Sequence, residues 1–227
     1  GIEFMKKLRE GVSTGSCMTG GAEASVIWQT TGKCPSVVKV DTPIGKTLYL
    51  DIIPREFGVC GVVKDAGDDL DVTNGSEIVT KVELFEEEGD IFFFGGEGVG
   101  TITQEGLKIP PGQPAINPVP RQMAEKAIRK IIGNKKASVT VSIPGGKELA
   151  KKTFNPRLGI VDGLSVLGTT GIVRPMSEEA MKDSLIAELD MYAKQGHKTI
   201  LFVLGGTGET ALKEQYGEFQ CILQVSN

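Results

Sequence analysis

One segment of the chain combines apolar residues with closely spaced glycines, and it reads Phe154-Asn-Pro-Arg-Leu-Gly-Ile-Val-Asp-Gly-Leu-Ser-Val-Leu-Gly-Thr-Thr-Gly-Ile-Val-Arg-Pro-Met176. Val166-Leu167, followed by Gly168-Thr-Thr-Gly171, predicts a buried strand that runs into a tight turn. Backbone N–H groups in such a turn can bind an anion or a cofactor carboxylate. Arg157 and Arg174 flank the turn, and each lies beside a proline that restricts its backbone. We therefore expect the segment to organise the fold around an anionic ligand.

The length and composition are those of an ordinary globular protein. The 227 residues suffice for one large core or two modest ones. No apolar run approaches the roughly 20 residues of a membrane-spanning helix, so no membrane association is expected. The N-terminal residues lack the basic and apolar regions of a secretory signal, which favours a cytoplasmic protein. The net charge of −4 argues against general nucleic-acid binding, which requires a concentrated basic face.

The cysteines and the single histidine argue against a protein-bound metal. Four cysteines are scattered along the chain: Cys17, Cys34, Cys60 and Cys221. They form no CxxC pair, so neither a zinc site nor a disulfide framework is indicated. There is one histidine, His197, which leaves little room for a histidine-centred nucleophile triad. It follows Gly196 at a predicted helix end, a position that favours a surface residue.

The secondary-structure pattern predicts two domains. Residues 1–175 predict an α+β domain, with a hairpin over 37–53, a helix over 121–132 and an alternating strand over 137–143. Residues 176–227 predict a smaller α/β Rossmann-like domain, in which a helix, an apolar strand over 199–204 and a glycine turn follow one another. The chain ends partway through the next predicted strand, so we expect this domain to be incomplete.

The densest polar cluster lies in Gly61-Val-Val-Lys-Asp-Ala-Gly-Asp-Asp-Leu-Asp-Val-Thr-Asn-Gly75. Its spacing does not match a calcium-binding loop. Carboxylates this close repel one another, so at least one should have a raised pKa and could act as a general base, with Lys64 offsetting the field. The alternative is an acidic turn whose aspartates cap backbone N–H groups.

Two further loops could bind a ligand. Gly95-Gly-Glu-Gly-Val-Gly-Thr101 follows a predicted strand, and its glycines would let the backbone approach a ligand closely. Glu97 could add an acid beside the aspartates if the two loops meet. Near the N-terminus, the hydroxyls of Ser13-Thr-Gly-Ser-Cys17 indicate either a capping loop or an anion pocket. A weak helix should follow, because Gly20 and Gly21 each cost about 1 kcal/mol relative to alanine.

Taken together, these motifs resemble the CbiD family, the cobalt-precorrin-5B C1-methyltransferases of anaerobic cobalamin biosynthesis. The resemblance rests on Lys151-Lys-Thr-Phe-Asn-Pro-Arg-Leu-Gly-Ile-Val161, Leu167-Gly-Thr-Thr-Gly-Ile-Val-Arg-Pro-Met176, Gly61-Val-Val-Lys-Asp-Ala-Gly-Asp-Asp69, Gly95-Gly-Glu-Gly-Val-Gly-Thr101 and Pro114-Ala-Ile-Asn-Pro-Val-Pro-Arg121. It implies methyl transfer from S-adenosylmethionine to C1 of a cobalt-containing corrin precursor. The cobalt would belong to the substrate, so no protein-bound metal is implied.

Residues of this sequence can be assigned to the chemistry that the resemblance implies. Asp65, Asp68 or Glu97 would be the base near the carbon acceptor. A polycarboxylate macrocycle needs aimed cations and hydroxyls, and the candidates are Arg55, Lys64, Arg121, Arg157, Thr169, Thr170 and Arg174. The methyl donor would bind the glycine turn and the acid that follows it, namely Gly205, Gly206, Thr207, Gly208 and Glu209. The glycine run at 95–100 is the alternative donor site.

Two other functions stay open at this stage. Acidic and glycine-rich loops could bind ATP and magnesium in a small-molecule kinase, and the same arginines could serve a tetrapyrrole carrier without catalysis. Whether the protein forms a homo-oligomer also stays open.

Overall fold

The structure is a computed structural model, and it describes residues 8–175, 178–199, 201–204 and 222–225. The chain divides into two compact units. The first comprises Gly1–Thr103 and Lys108–Met176, and the second comprises Gln104–Leu107 and Ser177–Asn227. Each unit contains both helix and strand, so the predicted mixture of α and β structure is confirmed.

The first unit is built around one main sheet. In chain order its elements are β1 (Gly11–Val12), α1 (Thr14–Thr31), β2 (Val37–Asp41), β3 (Thr47–Asp51), β4 (Ile53–Glu56), β5 (Val59–Val63), β6 (Glu77–Glu88), β7 (Ile91–Gly95), β8 (Thr101–Ile102), α2 (Pro118–Ile132), β9 (Lys135–Ser142), α3 (Gly146–Ala150), β10 (Ile160–Val161) and β11 (Ile172–Val173). The main sheet has the order β4-β5-β6-β9-β7. Its neighbouring strands are antiparallel, except that β7 is parallel to β9.

Alternating apolar residues of the main sheet form the core together with the helices. In β9, Ala137, Val139 and Val141 are fully buried, whereas the residues between them are partly exposed. This is the alternation expected of a strand with one covered face. Helix α2 buries Met123 and Ile128 on its predicted apolar side. The predicted helix, the predicted strand and the β2–β3 hairpin are all confirmed.

Helix α1 is buried along most of its length, although its glycines predict a weak helix. Residues 14–22 are all buried, and the helix contacts α2, β5 and β6. A Cβ atom on Gly21 would lie 2.9 Å from Oγ1 of Thr80 in β6, so the missing side chain lets the helix approach the sheet closely. Tertiary packing thus outweighs the low intrinsic helix propensity of this segment.

One detail of the predicted fold is wrong. The predicted strand at Val166-Leu167 is not a regular strand, because Val166 forms an isolated bridge to Ile116 and Leu167 is 51% exposed. The glycines on both sides bend the chain, so the segment touches several loops in turn instead of pairing with one strand.

The second unit contains the predicted helix and strand. Helix α4 (Glu178–Lys194) precedes β12 (Leu201–Leu204), which pairs in parallel with β13 (Ile222–Val225). The predicted donor turn, Gly205, Gly206, Thr207 and Gly208 with Glu209, lies outside the described residues. In the described part of the chain, no helix has the length and apolar character needed to span a membrane.

Candidate active site

Three strands of the main sheet end at one edge, which we call the site edge. Strands β5, β9 and β7 run in the same direction, because β5 and β9 are both antiparallel to β6 and β7 is parallel to β9. Their C-terminal ends therefore meet at this edge. Strand β5 leads into the aspartate loop (residues 64–75), and β7 leads into the glycine loop (residues 95–101). The sheet thus brings two predicted motifs to the same side of the first unit.

The two loops do not lie side by side. Strands β6 and β9 separate β5 from β7, so the loops are three strand spacings, or roughly 14 Å, apart. The loops therefore do not meet, and Glu97 does not lie beside the aspartates. Any ligand that touches both loops must be wide.

The apolar, glycine-rich segment connects these loops, and we call residues 154–174 the crossing segment. Leu164 donates its N–H to Gly98 O at 2.8 Å and accepts the N–H of Gly100 at 2.8 Å. Val166 then donates to Ala115 O at 2.7 Å and accepts from Asn117 N at 3.0 Å. The crossing segment is thereby hydrogen-bonded to the glycine loop and to the start of α2.

Further along, the crossing segment closes the N-terminus of α1. Leu167 O accepts the N–H of Gly15 at 2.9 Å, and Gly171 O accepts the N–H of Ser13 at 3.1 Å. Ser13 Oγ also accepts the N–H of Ser16 at 3.1 Å. These bonds satisfy donors that a free helix N-terminus would offer to an anion. Of the two alternatives for the N-terminal hydroxyl run, the structure therefore shows the capping loop.

The crossing segment reaches the aspartate loop through β1. Strand β11 pairs with β1, and Val12 of β1 donates its N–H to Asp65 O at 2.7 Å. Asn155 holds the other end of the segment, because its buried amide nitrogen donates to Gly163 O at 3.0 Å and to Ser165 Oγ at 3.1 Å. The crossing segment is therefore bonded to the glycine loop and to α1 directly, and to the aspartate loop through β1.

Arg9, which was not among the predicted site residues, contacts two carboxylates of the aspartate loop. Arg9 donates from Nη1 and Nη2 to the Asp65 carboxylate at 2.7 and 3.0 Å. Asp68 accepts the backbone N–H of Arg9 at 2.5 Å. The bond from Arg9, helped by the N–H of Gly67, lowers the pKa of the Asp65 carboxyl below its ordinary value. The predicted raised pKa is therefore wrong for Asp65, which is a weak base in this arrangement.

Lys64 does not face a ligand. It is only 4% exposed, and its ammonium donates to Asp71 Oδ2 at 2.8 Å, to Thr73 Oγ1 at 2.6 Å and to Thr14 Oγ1 at 3.1 Å. An ammonium has three donors, so all of them are used within the protein. Burial would raise the pKa of Asp71, but the charge and hydrogen bonds of Lys64, with those of Thr73, lower it overall. Lys64 thus anchors the aspartate loop to α1 instead of binding substrate.

The glycine loop is packed against protein rather than opened toward a ligand. A Cβ atom on Gly98 would lie 1.9 Å from Ile143 O, and one on Gly100 would lie 2.8 Å from Gly163 O. Gly96 donates its N–H to Val141 O at 2.8 Å. These glycines allow backbone to approach backbone, which disfavours the loop as the alternative donor site. Glu97, in contrast, is exposed on this loop.

Two of the predicted cations, Arg121 and Arg55, already have partners within the protein. Arg121 is partly buried, donates to Ile116 O at 2.7 Å and to Pro114 O at 3.2 Å, and lies over the Phe93 ring. Burial lowers the pKa of its guanidinium. Because its Nε and one Nη donate to backbone carbonyls of the preceding loop, the contacts indicate a structural role for Arg121. Arg55, in turn, is ion-paired with Glu77.

Arg174 is exposed, as are Arg55 and Thr169 of the predicted set. Its Nε lies 3.7 Å from Glu10 Oε1, and Lys46 Nζ lies 3.0 Å from the other oxygen of the same carboxylate. Thr169 is exposed in the adjacent turn, whereas Thr170 Oγ1 donates to Ile172 O at 3.0 Å. Arg157 is partly buried in the turn before β10.

Sequence reasoning did not select Arg9, Glu10 or Lys46 for the site. A charged pair directly before the hydroxyl run was the available signal for Arg9 and Glu10, but only the fold shows which residues they contact. Among the described residues, no group of three His, Cys, Asp or Glu side chains is arranged to hold a metal ion.

Comparisons with known proteins agree with the motif resemblance. The CbiD family model matches residues 2–175. The chain is 46% identical over 231 residues to the cobalt-precorrin-5B C(1)-methyltransferase of Thermoanaerobacter sp. (strain X514), covering 100% of this chain and 63% of the relative. It is 46% identical over 233 residues to the enzyme of the same name from Methanocaldococcus jannaschii, covering 99% of this chain and 64% of the relative.

A solved structure is similar as well. The cobalamin biosynthesis protein CbiD from Archaeoglobus fulgidus matches with a TM-score of 0.58 and 28% identity, covering 95% of this chain and 70% of that chain. The chain spans less than two thirds of the length of the curated relatives named above. With a family model that matches residues 2–175, the chain belongs to the CbiD family.

Proposed function

We propose that this chain is part of an S-adenosylmethionine-dependent enzyme that methylates C1 of cobalt-precorrin-5B, forming cobalt-precorrin-6A in anaerobic cobalamin biosynthesis. The observation that carries the proposal is the 46% identity to a cobalt-precorrin-5B C(1)-methyltransferase along 100% of this chain. The cobalt is part of the substrate. The spacing of the two loops at the site edge, roughly 14 Å, suits a ligand as wide as a macrocycle.

The donor supplies an electrophilic methyl group attached to a sulfonium. In the transfer, the S–CH₃ bond breaks, its electron pair returns to sulfur, and the acceptor carbon uses its own electron pair to form the new C–C bond. Such a displacement needs alignment more than a covalent nucleophile, and orientation can contribute about 7–11 kcal/mol. The task of this chain is therefore to hold the macrocycle and to exclude unproductive poses.

On the substrate side, the exposed groups of the crossing segment are the best placed. Arg174 pairs with Glu10 at 3.7 Å, a distance that leaves its guanidinium able to exchange partners. A bidentate carboxylate of the macrocycle would be a stronger partner. We assign substrate contacts to Arg174 and Thr169, with Arg157 and Thr170 supporting the same segment.

For the base, Glu97 is the candidate that the local contacts favour. Asp65 has a lowered pKa because of Arg9, and Asp68 accepts the backbone N–H of Arg9. Glu97 is exposed at the end of β7, where its backbone accepts the N–H of Ile143. We therefore place Glu97 near the acceptor carbon, where its carboxylate would take up the proton that the macrocycle loses after methylation, and give Asp65 and Asp68 the task of fixing Arg9.

For the donor, we propose the turn after β12, comprising Gly205, Gly206, Thr207, Gly208 and Glu209. The packed glycine loop supports this choice, because the N–H groups of Gly96, Val99 and Gly100 and the Cα faces of its glycines are already used within the first unit. The parallel pairing of β12 with β13 is the pattern of a doubly wound, Rossmann-like domain, in which ligands bind beyond the carboxyl ends of strands. Residues 1–175 would then bind the corrinoid, and residues 176–227 would begin the donor domain.

The test is ligand-dependent thermal stability of the whole protein. Stabilisation by S-adenosylhomocysteine, with methyl transfer to a cobalt-precorrin, is the expected result. Stabilisation by ATP with magnesium alone would indicate the kinase, and a response to corrinoids alone would indicate the carrier. Either of the last two outcomes would overturn the proposal.

A further inference from the structure

Two cysteines that lie far apart in the sequence meet in the first unit. Cys34 Sγ lies 3.9 Å from Cys60 Sγ, although 26 positions separate the residues. Both are free thiols. Cys34 follows α1 in the loop before β2, and Cys60 is the second residue of β5. Neither residue belongs to the site edge, so the proposed methyl transfer gives this pair no role.

The two thiols differ in access and in freedom to move. Cys60 is fully buried, and its strand is paired on both sides, with Pro54 and with Thr80. Cys34 is partly exposed and lies in the loop between α1 and β2, outside any strand, so no ladder hydrogen bonds hold its backbone. A disulfide needs the sulfurs about 2.05 Å apart. The remaining approach of about 2 Å is within the reach of a χ1 rotation at Cys34 with a small loop shift.

We propose that Cys34 and Cys60 are a modification site, at which a hydroperoxide converts the dithiol into an intramolecular disulfide. The Cys34 thiolate attacks a peroxide oxygen, the O–O bond breaks, and the departing hydroxide or alkoxide takes up the proton that the thiol released, giving water or an alcohol. The resulting Cys34 sulfenic acid is attacked by the Cys60 sulfur. The S–S bond forms, the S–O bond breaks, and the departing hydroxide takes the proton of the Cys60 thiol to give water. Two thiols thus supply the two electrons that reduce the peroxide.

The order of these steps follows from the environments of the two sulfurs. Burial, and then the neighbouring Cys34, raise the pKa of the Cys60 thiol well above its ordinary value, so Cys60 contributes little thiolate near neutral pH. Only the thiolate is strongly nucleophilic. The partly exposed Cys34 thiol is the one that an oxidant can reach, and the buried Cys60 thiol, whose sulfur is 3.9 Å away, acts as the resolving group.

The bond would join the loop after α1 to a strand of the main sheet. Closing a loop of this length restricts the unfolded chain, so the oxidised protein should melt roughly 5–10 °C above the reduced protein. Because α1 and β5 also carry the capping residues and the aspartate loop at their opposite ends, the bond fixes two elements that support the site edge.

The experiment is peptide mapping of the folded protein after exposure to hydrogen peroxide. Trypsin should release residues 34–39 and 56–64 as separate peptides, since cleavage sites precede and follow each. We expect these peptides to be linked in the oxidised sample, with the loss of two thiols, a higher Tm, and reversal of all three by dithiothreitol. Cys34→Ser should abolish the link and the Tm shift, whereas Cys17→Ser should retain both.

Several results of the peptide mapping would contradict the proposal. Oxidation of Cys34 to sulfenic or sulfinic acid without a link to Cys60 would overturn the proposal, as would a link to Cys221 or between molecules. Cys60→Ser, if it folds, should accumulate the Cys34 sulfenic acid. If it does not fold, Cys34→Ser still decides the question, because the changed residue lies in a partly exposed loop.

Discussion

Lys64 Nζ lies 2.8 Å from Asp71 Oδ2, in a position where the lysine is only 4% exposed. Removing one partner of a buried pair leaves an uncompensated charge, which typically costs about 3–5 kcal/mol. Asp71→Ala should therefore lower the free energy of unfolding by about 3 kcal/mol in denaturant titrations. The double variant Lys64→Met with Asp71→Ala should be less destabilised, since no unpaired ammonium remains.

The matched control for this pair is on the sheet surface. Lys81 pairs with Glu83 at 3.1 Å, and about half of each side chain is exposed. Lys81→Ala should change the free energy of unfolding by less than about 1 kcal/mol. Equal effects of Asp71→Ala and Lys81→Ala would contradict the anchoring role of Lys64.

The same pair predicts how stability depends on pH. The pKa of Asp71 is lowered in the folded protein, so its contribution is complete above its ordinary value, near pH 4, and is lost as pH falls toward the folded value. The free energy of unfolding should therefore fall between pH 5 and pH 3. Asp71→Asn should be less stable than wild type at pH 7, and the difference should shrink below pH 4. A difference that stays constant across this range would argue against the assignment.

Gly98 is predicted to tolerate no side chain. Its φ is +75°, and a Cβ atom would lie 1.9 Å from Ile143 O. Gly112 has a φ of +85° but no heavy atom within 4 Å of the same position. Both alanine variants incur the left-handed penalty of about 1–2 kcal/mol, and Gly98→Ala adds an overpacking penalty of about 1–3 kcal/mol. Thermal or denaturant unfolding should rank Gly98→Ala well below Gly112→Ala, and similar stabilities would refute the packing role.

Arg174 is predicted to bind a substrate carboxylate. Loss of a charge-assisted hydrogen bond costs about 1.5–3 kcal/mol, so Arg174→Ala should lower kcat/KM by roughly ten- to hundredfold. Arg174→Lys should retain only part of the wild-type kcat/KM, because an ammonium cannot make the bidentate contact. Lys81→Ala serves as the control cation away from the site edge. If Arg174→Ala and Lys81→Ala have the same kcat/KM, Arg174 makes no substrate contact.

Glu97 and Asp65 are predicted to differ in their kinetic effects. A general base contributes about 10²–10⁴-fold to the chemical step, so Glu97→Gln should lower kcat by at least about a hundredfold with little change in KM. Asp65→Asn should act mainly through Arg9 and therefore lower kcat much less. Steady-state kinetics with both variants decides between them, and a larger loss of kcat in Asp65→Asn would reverse the assignment.

The regular elements of the first unit could largely be predicted because their signals are local. The β2–β3 hairpin, α2 and β9 follow from apolar spacing within each segment. The stability of helix α1 is underestimated, because it does not depend on local signals. Its stability comes from burial against β5, β6 and α2, which intrinsic propensity does not register. The strand at 166–167 is overestimated because burial of Val166 arises from several loops and not from a ladder.

The candidate site was only half predictable. The sequence marks Lys64 and Asp65 as an unusual charged pair, but their partners, Asp71 with Thr73 and Arg9, decide what each can do. Arg9 and Asp65 are 56 positions apart. Periodicity and motif spacing carry no information on such a contact. The crowded carboxylates predict a raised pKa, but the contact with Arg9 lowers the pKa of Asp65.

The sequence by itself determined the family, the polar and glycine-rich motifs, and the segment that joins them, because each is written in contiguous residues. Only the tertiary structure decided which charges are neutralised, which glycines serve packing, and which thiols meet. These depend on sheet order and on distances between residues remote in the chain. Electrostatic and packing energies follow distance in space, and the fold alone sets that distance.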